Sequence, residues 1–278
     1  MSRDAVRAIA RKDLMTVVRN RGVRTPLIVT PIVVLGVLPV ALVGGGEVLA
    51  ASQPIQEAVA AGGGERFQPL VDTASSWLNQ GTIPVGARWG MFILDTFVAP
   101  LYLLIPLITA TVIAADSFAG ERERGTLEAL LHAATTDRDL LWGKFLAAFI
   151  PALSVAWASF IGYTLLANGL LWRHLGGPWF PTTTWVLLAA WAAPAVAALG
   201  LSLMVIASSK VNSLQAAHQI GSLVILPVML LLVANLTGSL LLRPSLVIVM
   251  GALIGLLAAG LLGVAARSLR RERLAARL

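Results

Sequence analysis

Ten charged side chains fall between Asp116 and Lys144, in a chain of 278 residues that is 57% hydrophobic and only 13% charged. They are Asp116, Glu121, Arg122, Glu123, Arg124, Glu128, Asp137, Arg138, Asp139 and Lys144. Several chemistries are testable against this stretch. A phosphate cradle needs a glycine five residues before the Gly-Lys pair and a Ser or Thr after it. Gly143–Lys144 has Arg138 and Phe145 in those places, so this motif does not bind ATP phosphates here. Zinc hydrolysis needs histidines at helical spacing. His132, His174 and His218 form no such pair, and the chain has no cysteine. A serine nucleophile needs a base at its own depth, and Ser154, Ser159 and Ser202 have none in the layout derived below. Mixed charges that surround no reactive group suit the docking of a soluble partner, where complementary charge sets specificity.

The elements that must position this stretch are hydrophobic. Mean hydropathy is +0.82, and about twenty apolar residues suffice to cross a bilayer core. Six segments qualify: Pro26–Val43, Met91–Ala115, Phe145–Leu171, Thr184–Ala207, Ile220–Leu242 and Leu246–Ala266. The last two are parted by Arg243–Pro244–Ser245, a turn sequence. The predicted class is an all-α polytopic membrane protein with six transmembrane helices. An even number of spans puts both termini on one side. Of the 21 Lys and Arg residues, 17 fall on the side of the termini and the charged stretch, against Arg66, Arg88, Arg173 and Arg243 on the other. The positive-inside rule makes the first side cytoplasmic. The net charge of +7 is thus read as membrane orientation, and nucleic acid is not an expected partner.

Three regions follow. Residues 1–25 read as an amphipathic helix on the membrane surface, with Val6, Ile9, Ala10, Leu14 and Val17 on one arc. Asp13 interrupts that arc and hints at a protein contact. Residues 26–266 form the transmembrane domain, with an outer loop at 44–90 and a cytoplasmic loop at 116–143. The outer loop has two triple-glycine breakers, Gly44–Gly46 and Gly62–Gly64, around short helical stretches. Residues 267–278 are a basic cytoplasmic tail. Five further spans and the long basic arm argue against a cleaved signal peptide.

Within the cytoplasmic loop, Gly125 breaks the chain. Thr126 can cap a short helix over Leu127–Ala134, with Glu128 near its positive end. Thr136 and Asp139 have capping-box spacing at the start of the third span. Helix, turn and helix lie under the membrane, where a plain connector needs only a few residues.

These residues resemble the signature region of type-2 ABC transporter permeases, a family of drug, polysaccharide and sodium exporters. The match runs through Gly120, Glu121, Glu123, Gly125, Thr126, Leu127, Glu128, Leu130 and Leu131, then Asp137, Arg138, Leu140, Gly143 and Lys144. The turn reads His132–Thr136 where the family usually has proline. Ile9–Gly22 is similar to the family's N-terminal connecting helix. The resemblance implies a permease subunit of an ATP-driven exporter, not itself an enzyme, with the loop holding a coupling helix. Glu121, Arg122, Glu123, Arg124, Gly125, Thr126, Leu127, Glu128, Asp137 and Arg138 would then contact an ATP-binding subunit. A second permease, either another copy of this chain or a close paralogue, and membrane lipids complete the expected partners. This chain would bind no cofactor or metal, and ATP and Mg would sit on the partner subunit. The implied location is the cell membrane.

Inside the spans, Asp95 is the one ionisable residue, near the outer end of the second. An intramembrane acid is a functional candidate, although a salt bridge to Arg88 or exposure to water fits its depth equally. Asn168 and Asn235 are also near outer ends and could line an exit vestibule or bond across helices. Gly251 and Gly255 give a close-packing pair. The alternatives are a stand-alone secondary transporter, which would show inverted repeats and mid-membrane charges, and a membrane anchor without transport. Substrate flux into vesicles separates the last from a permease. The apolar spans mildly favour an amphiphilic cargo.

Overall fold

The computed structural model describes residues 20–50, 83, 85–120, 123, 137–208, 214–236 and 240–268. The amphipathic arm to residue 19, most of the outer loop, the coupling segment at 124–136 and the tail beyond residue 268 lie outside the described residues. Every regular element described is helical.

Five helices are long and apolar enough to cross a membrane. They are α1 (Arg21–Gly44), α2 (Ala87–Ala115), α3 (Asp137–Leu175), α4 (Thr183–Ser208) and α7 (Pro244–Ser268). Each encloses or nearly matches an expected span. The fifth expected span differs. Ile220–Leu242 was expected as one helix; it is two, α5 (Leu214–Leu223) and α6 (Leu226–Leu236). Pro227 supplies the reason. It has no N–H to offer the carbonyl four residues earlier, and its ring crowds that carbonyl. The chain tightens instead, with Val224 N–H donating to Gly221 O and Ile225 N–H to Ser222 O, both at 3.1 Å.

The same physics accounts for three π-helical segments. Ile32–Val37 lies in α1, Ile93–Phe97 in α2 and Leu188–Ala192 in α4. Four residues before Pro39, Pro100 and Pro194 stand Leu35, Thr96 and Ala190, one inside each segment. The carbonyl that loses its partner to proline is where the helix widens. Pro151, by contrast, lies inside uninterrupted α3.

Helix α2 is the centre of the bundle, with 78% of its apolar window buried against 17% for α7. Helix α4 packs on both α2 and α7, and α3 packs on α2. Gly200 permits the α2–α4 approach: a Cβ there would lie 3.0 Å from Leu107 Cδ1. Gly251 receives the indole of Trp191, which would be 2.4 Å from an added Cβ, while Trp191 Nε1 donates to Ile248 O at 3.1 Å. The close packing expected of Gly251 is therefore made within the chain. Exposed residues are large and aliphatic, such as Ile32 and Val37 on α1 and Leu253, Leu256 and Leu257 on α7. An apolar exterior on helices of this length is what lipid selects, and the protein is a multi-pass membrane protein.

Candidate functional site

Two ends of the bundle carry polar structure. At the loop end, where residues 116–144 leave the helices, three segments meet. The Asn20 carboxamide caps α1 by accepting from Gly22 N–H at 3.0 Å, and its Nδ2 donates to Asp116 Oδ1 at 3.2 Å. Asp116 begins a π-helical turn, Asp116–Gly120, that continues directly from Ala115 and is counted below as the last turn of α2. Lys144, in the second turn of α3, donates from Nζ to the carbonyl oxygen of Ser117 at 2.6 Å. Asp116, Ser117 and Lys144 are all buried, Lys144 fully. A helix C-terminus presents carbonyls short of partners and favours a nearby cation. An apolar cluster surrounds the junction, including Val23, Ala115, Ala119, Phe145 and Ala148.

In the sequence, the expected docking residues fall between Ser117 and Lys144, the two residues joined at this junction. Glu123 is helical and exposed. Asp137 and Arg138 open α3, where only the backbone is described. Glu121, Arg122, Arg124, Gly125, Thr126, Leu127 and Glu128 lie outside the described residues. Asn20, Asp116 and Lys144 were not among the expected docking residues. The sequence held one signal for them: two charges, Asp116 and Lys144, placed at the very edges of apolar spans.

At the opposite end, Asp95 lies in the π-helical part of α2 and accepts from Thr182 Oγ1 at 2.7 Å; Trp185 Nε1 donates to the Asp95 carbonyl at 3.1 Å. Arg88, weighed as a salt-bridge partner, turns elsewhere and donates from Nε to Ile83 O at 2.6 Å. Asn168 holds the connector between α3 and α4. Its Nδ2 donates to Phe180 O at 2.7 Å and to Thr164 O at 2.9 Å, and its Oδ1 accepts from the N–H groups of Trp179 and Phe180. Asp95 and Asn168 thus secure one connector from two sides. Asn235, on α6, is fully buried, and neither side-chain polar atom has a partner among the described residues. Helix α6 packs on the Ile93–Phe97 segment, so all three residues belong to this end.

Beneath them is an aromatic cluster that no spacing in the sequence announces. Tyr163 stacks on Trp185 at 4.7 Å, and Phe180 meets both edge-on. Tyr163 OH donates to Leu94 O at 2.7 Å and Tyr102 OH to Ala156 O at 3.3 Å, so both buried hydroxyls are bonded. The cluster closes the space between α2, α3 and α4 at this end.

A family model described as ABC-2 family transporter protein matches residues 7–276. No curated protein matches the chain.

Proposed function

We propose, from the premise that this chain belongs to the ABC-2 family of transporter proteins, that it is the permease of an ATP-driven exporter coupled to a separate ATP-binding subunit. Belonging to the family makes it a transmembrane subunit of an ABC transporter rather than the ATPase. The finer reading has four parts. The loop end faces the cytoplasm. Glu121–Glu128 with Asp137 and Arg138 dock the ATP-binding subunit, which holds ATP and Mg. Two permease copies form the pathway in the cell membrane. Cargo leaves the cell.

One observation supports the reading: the head of α1, the end of α2 and the start of α3 meet in a polar junction at Asn20, Asp116 and Lys144, the last two buried. A connector needs no such anchorage. A loop that receives force from a soluble subunit does. Closure of the ATP-binding subunits would push on the loop, and the junction hands the displacement to α1, α2 and α3. The widened turns at Leu35, Thr96 and Ala190 are where three spans can flex. Among the described residues, Asp95 and Asn168 are engaged with the connector, and Asn235 has buried side-chain polar atoms without a partner; the otherwise apolar spans favour an amphiphilic cargo over a bare ion. Purification of the tagged chain from its native membrane tests the reading: a P-loop protein should accompany it and hydrolyse ATP. Recovery of the chain without any such protein would contradict it.

A further inference from the structure

Lys144 is fully buried and donates to a backbone carbonyl 27 residues away, that of Ser117. A buried ammonium is costly to hold unless bonded, and a mere membrane anchor would leave it at the surface. The bond joins the last turn of α2, where the chain departs into the loop, to the second turn of α3, just after it returns. Asp116, next to Ser117, is tied in turn to Asn20 at the head of α1. The Lys144–Ser117 bond is buried and the Asn20–Asp116 bond half-buried, and Val23, Ala119, Phe145 and Ala148 belong to one apolar cluster on the same three elements.

We infer that Lys144 is a positioning residue that locks the two feet of the loop together, so that a displacement of the loop reaches α2 and α3 as one movement. The consequence for transport rests on the coupling role proposed above; the lock itself does not. Without that bond the two feet are held at this level by apolar packing, which has no direction, and a push can be absorbed as a change in their spacing. With the feet joined, the loop is a handle rather than a tether. The acceptor is a main-chain oxygen, so the bond depends on the Lys144 side chain and not on the Ser117 hydroxyl. The coupling between two sites carried this way is a free energy that disappears with the bond.

The chain has no cysteine, so spin labels can be placed on Glu123→Cys and Trp142→Cys, one on each foot and both exposed. In lipid nanodiscs the full chain should give one narrow distance distribution. Lys144→Met keeps length and apolar bulk but cannot donate; it should broaden the distribution, and Lys144→Arg should restore it. An unchanged distribution in Lys144→Met would overturn the lock. Should Lys144→Met not be recovered from membranes, Lys144→Leu, which is apolar and equally unable to donate, is read in its place with the same two outcomes. This arm needs no partner, so it stands if the ATP-binding subunit proves absent. With the co-purified ATP-binding subunit, ATP and Mg should shift the distance between spin labels on Val37→Cys and Leu165→Cys, exposed positions on α1 and α3, and Lys144→Met should lose most of that shift. An undiminished shift would overturn the positioning role, whereas no shift in the otherwise wild-type chain would count against the coupling role instead.

Discussion

The carboxylate of Asp95 accepts a 2.7 Å hydrogen bond from the hydroxyl of Thr182, tying the π-helical part of α2 to the residue that precedes α4. The contact is a strut between helices. It is also the reason that an acid sits in an apolar span without Arg88 beside it: Trp185 and Thr182 bring polar hydrogens to the segment from the other side.

Thr182→Val should therefore lower the melting temperature of the detergent-solubilised chain. Asp95 is half-buried, so leaving its carboxylate without this donor costs toward the low end of the range for a stranded acceptor, about 1 kcal/mol. Asp95→Asn, which still accepts, should melt close to wild type, and Asp95→Ala should match Thr182→Val. Tryptophan fluorescence follows the transition, with Trp185 in the affected contact. A melting temperature indifferent to Thr182→Val would show the strut to be unimportant for stability.

Asn168 should be the more damaging site. Replacement by Leu, of similar size, removes four hydrogen bonds and strands Trp179 N–H, Phe180 N–H and Phe180 O. With part of the site open to solvent, the expected loss is about 2–4 kcal/mol. Proteolysis should then cut first in the connector at Gly176–Thr182, and equal protection of wild type and Asn168→Leu would count against the account.

How far the sequence reveals these features varies by element. Hydropathy placed five spans because lipid demands about twenty apolar residues in a row, a signal that tertiary contacts do not alter. It did not show the break in Ile220–Leu242, because hydropathy is blind to the hydrogen bond that Pro227 cannot make. The prolines did mark where α1, α2 and α4 widen, at Leu35, Thr96 and Ala190, once the carbonyl four residues back is considered. The connector role of Asn168 was not legible, since its partners Trp179 and Phe180 are main-chain groups of another segment and main-chain groups leave no trace in composition. The same holds for Lys144 and the Ser117 carbonyl. The motif that resembles type-2 permeases pointed to the family that the full-length match shows.

The split of basic residues, 17 against 4, predicts a membrane orientation that can be tested directly. Single cysteines at Gly125 and Lys210 should react with a permeant maleimide and be silent to an impermeant one added outside intact cells. A cysteine at Arg173 or Arg243 should show the reverse. Labelling of Gly125 from outside would invert the arrangement and remove the loop from any cytoplasmic ATP-binding subunit.

The central claim is that charges beyond the Asn20–Asp116–Lys144 junction dock an ATP-binding subunit. Its most direct test is co-purification of that subunit with wild-type chain and with Glu121→Lys/Glu123→Lys, in membranes holding equal amounts of each. Reversing charges that face a complementary surface costs about 2–5 kcal/mol, whereas solvated charges contribute about 0–1 kcal/mol each. The account predicts a double variant that inserts and melts like wild type but retains a few per cent or less of the bound subunit, on the order of a thirtyfold or greater loss. Equal recovery of the subunit, with transport-stimulated ATP hydrolysis unchanged, would contradict it.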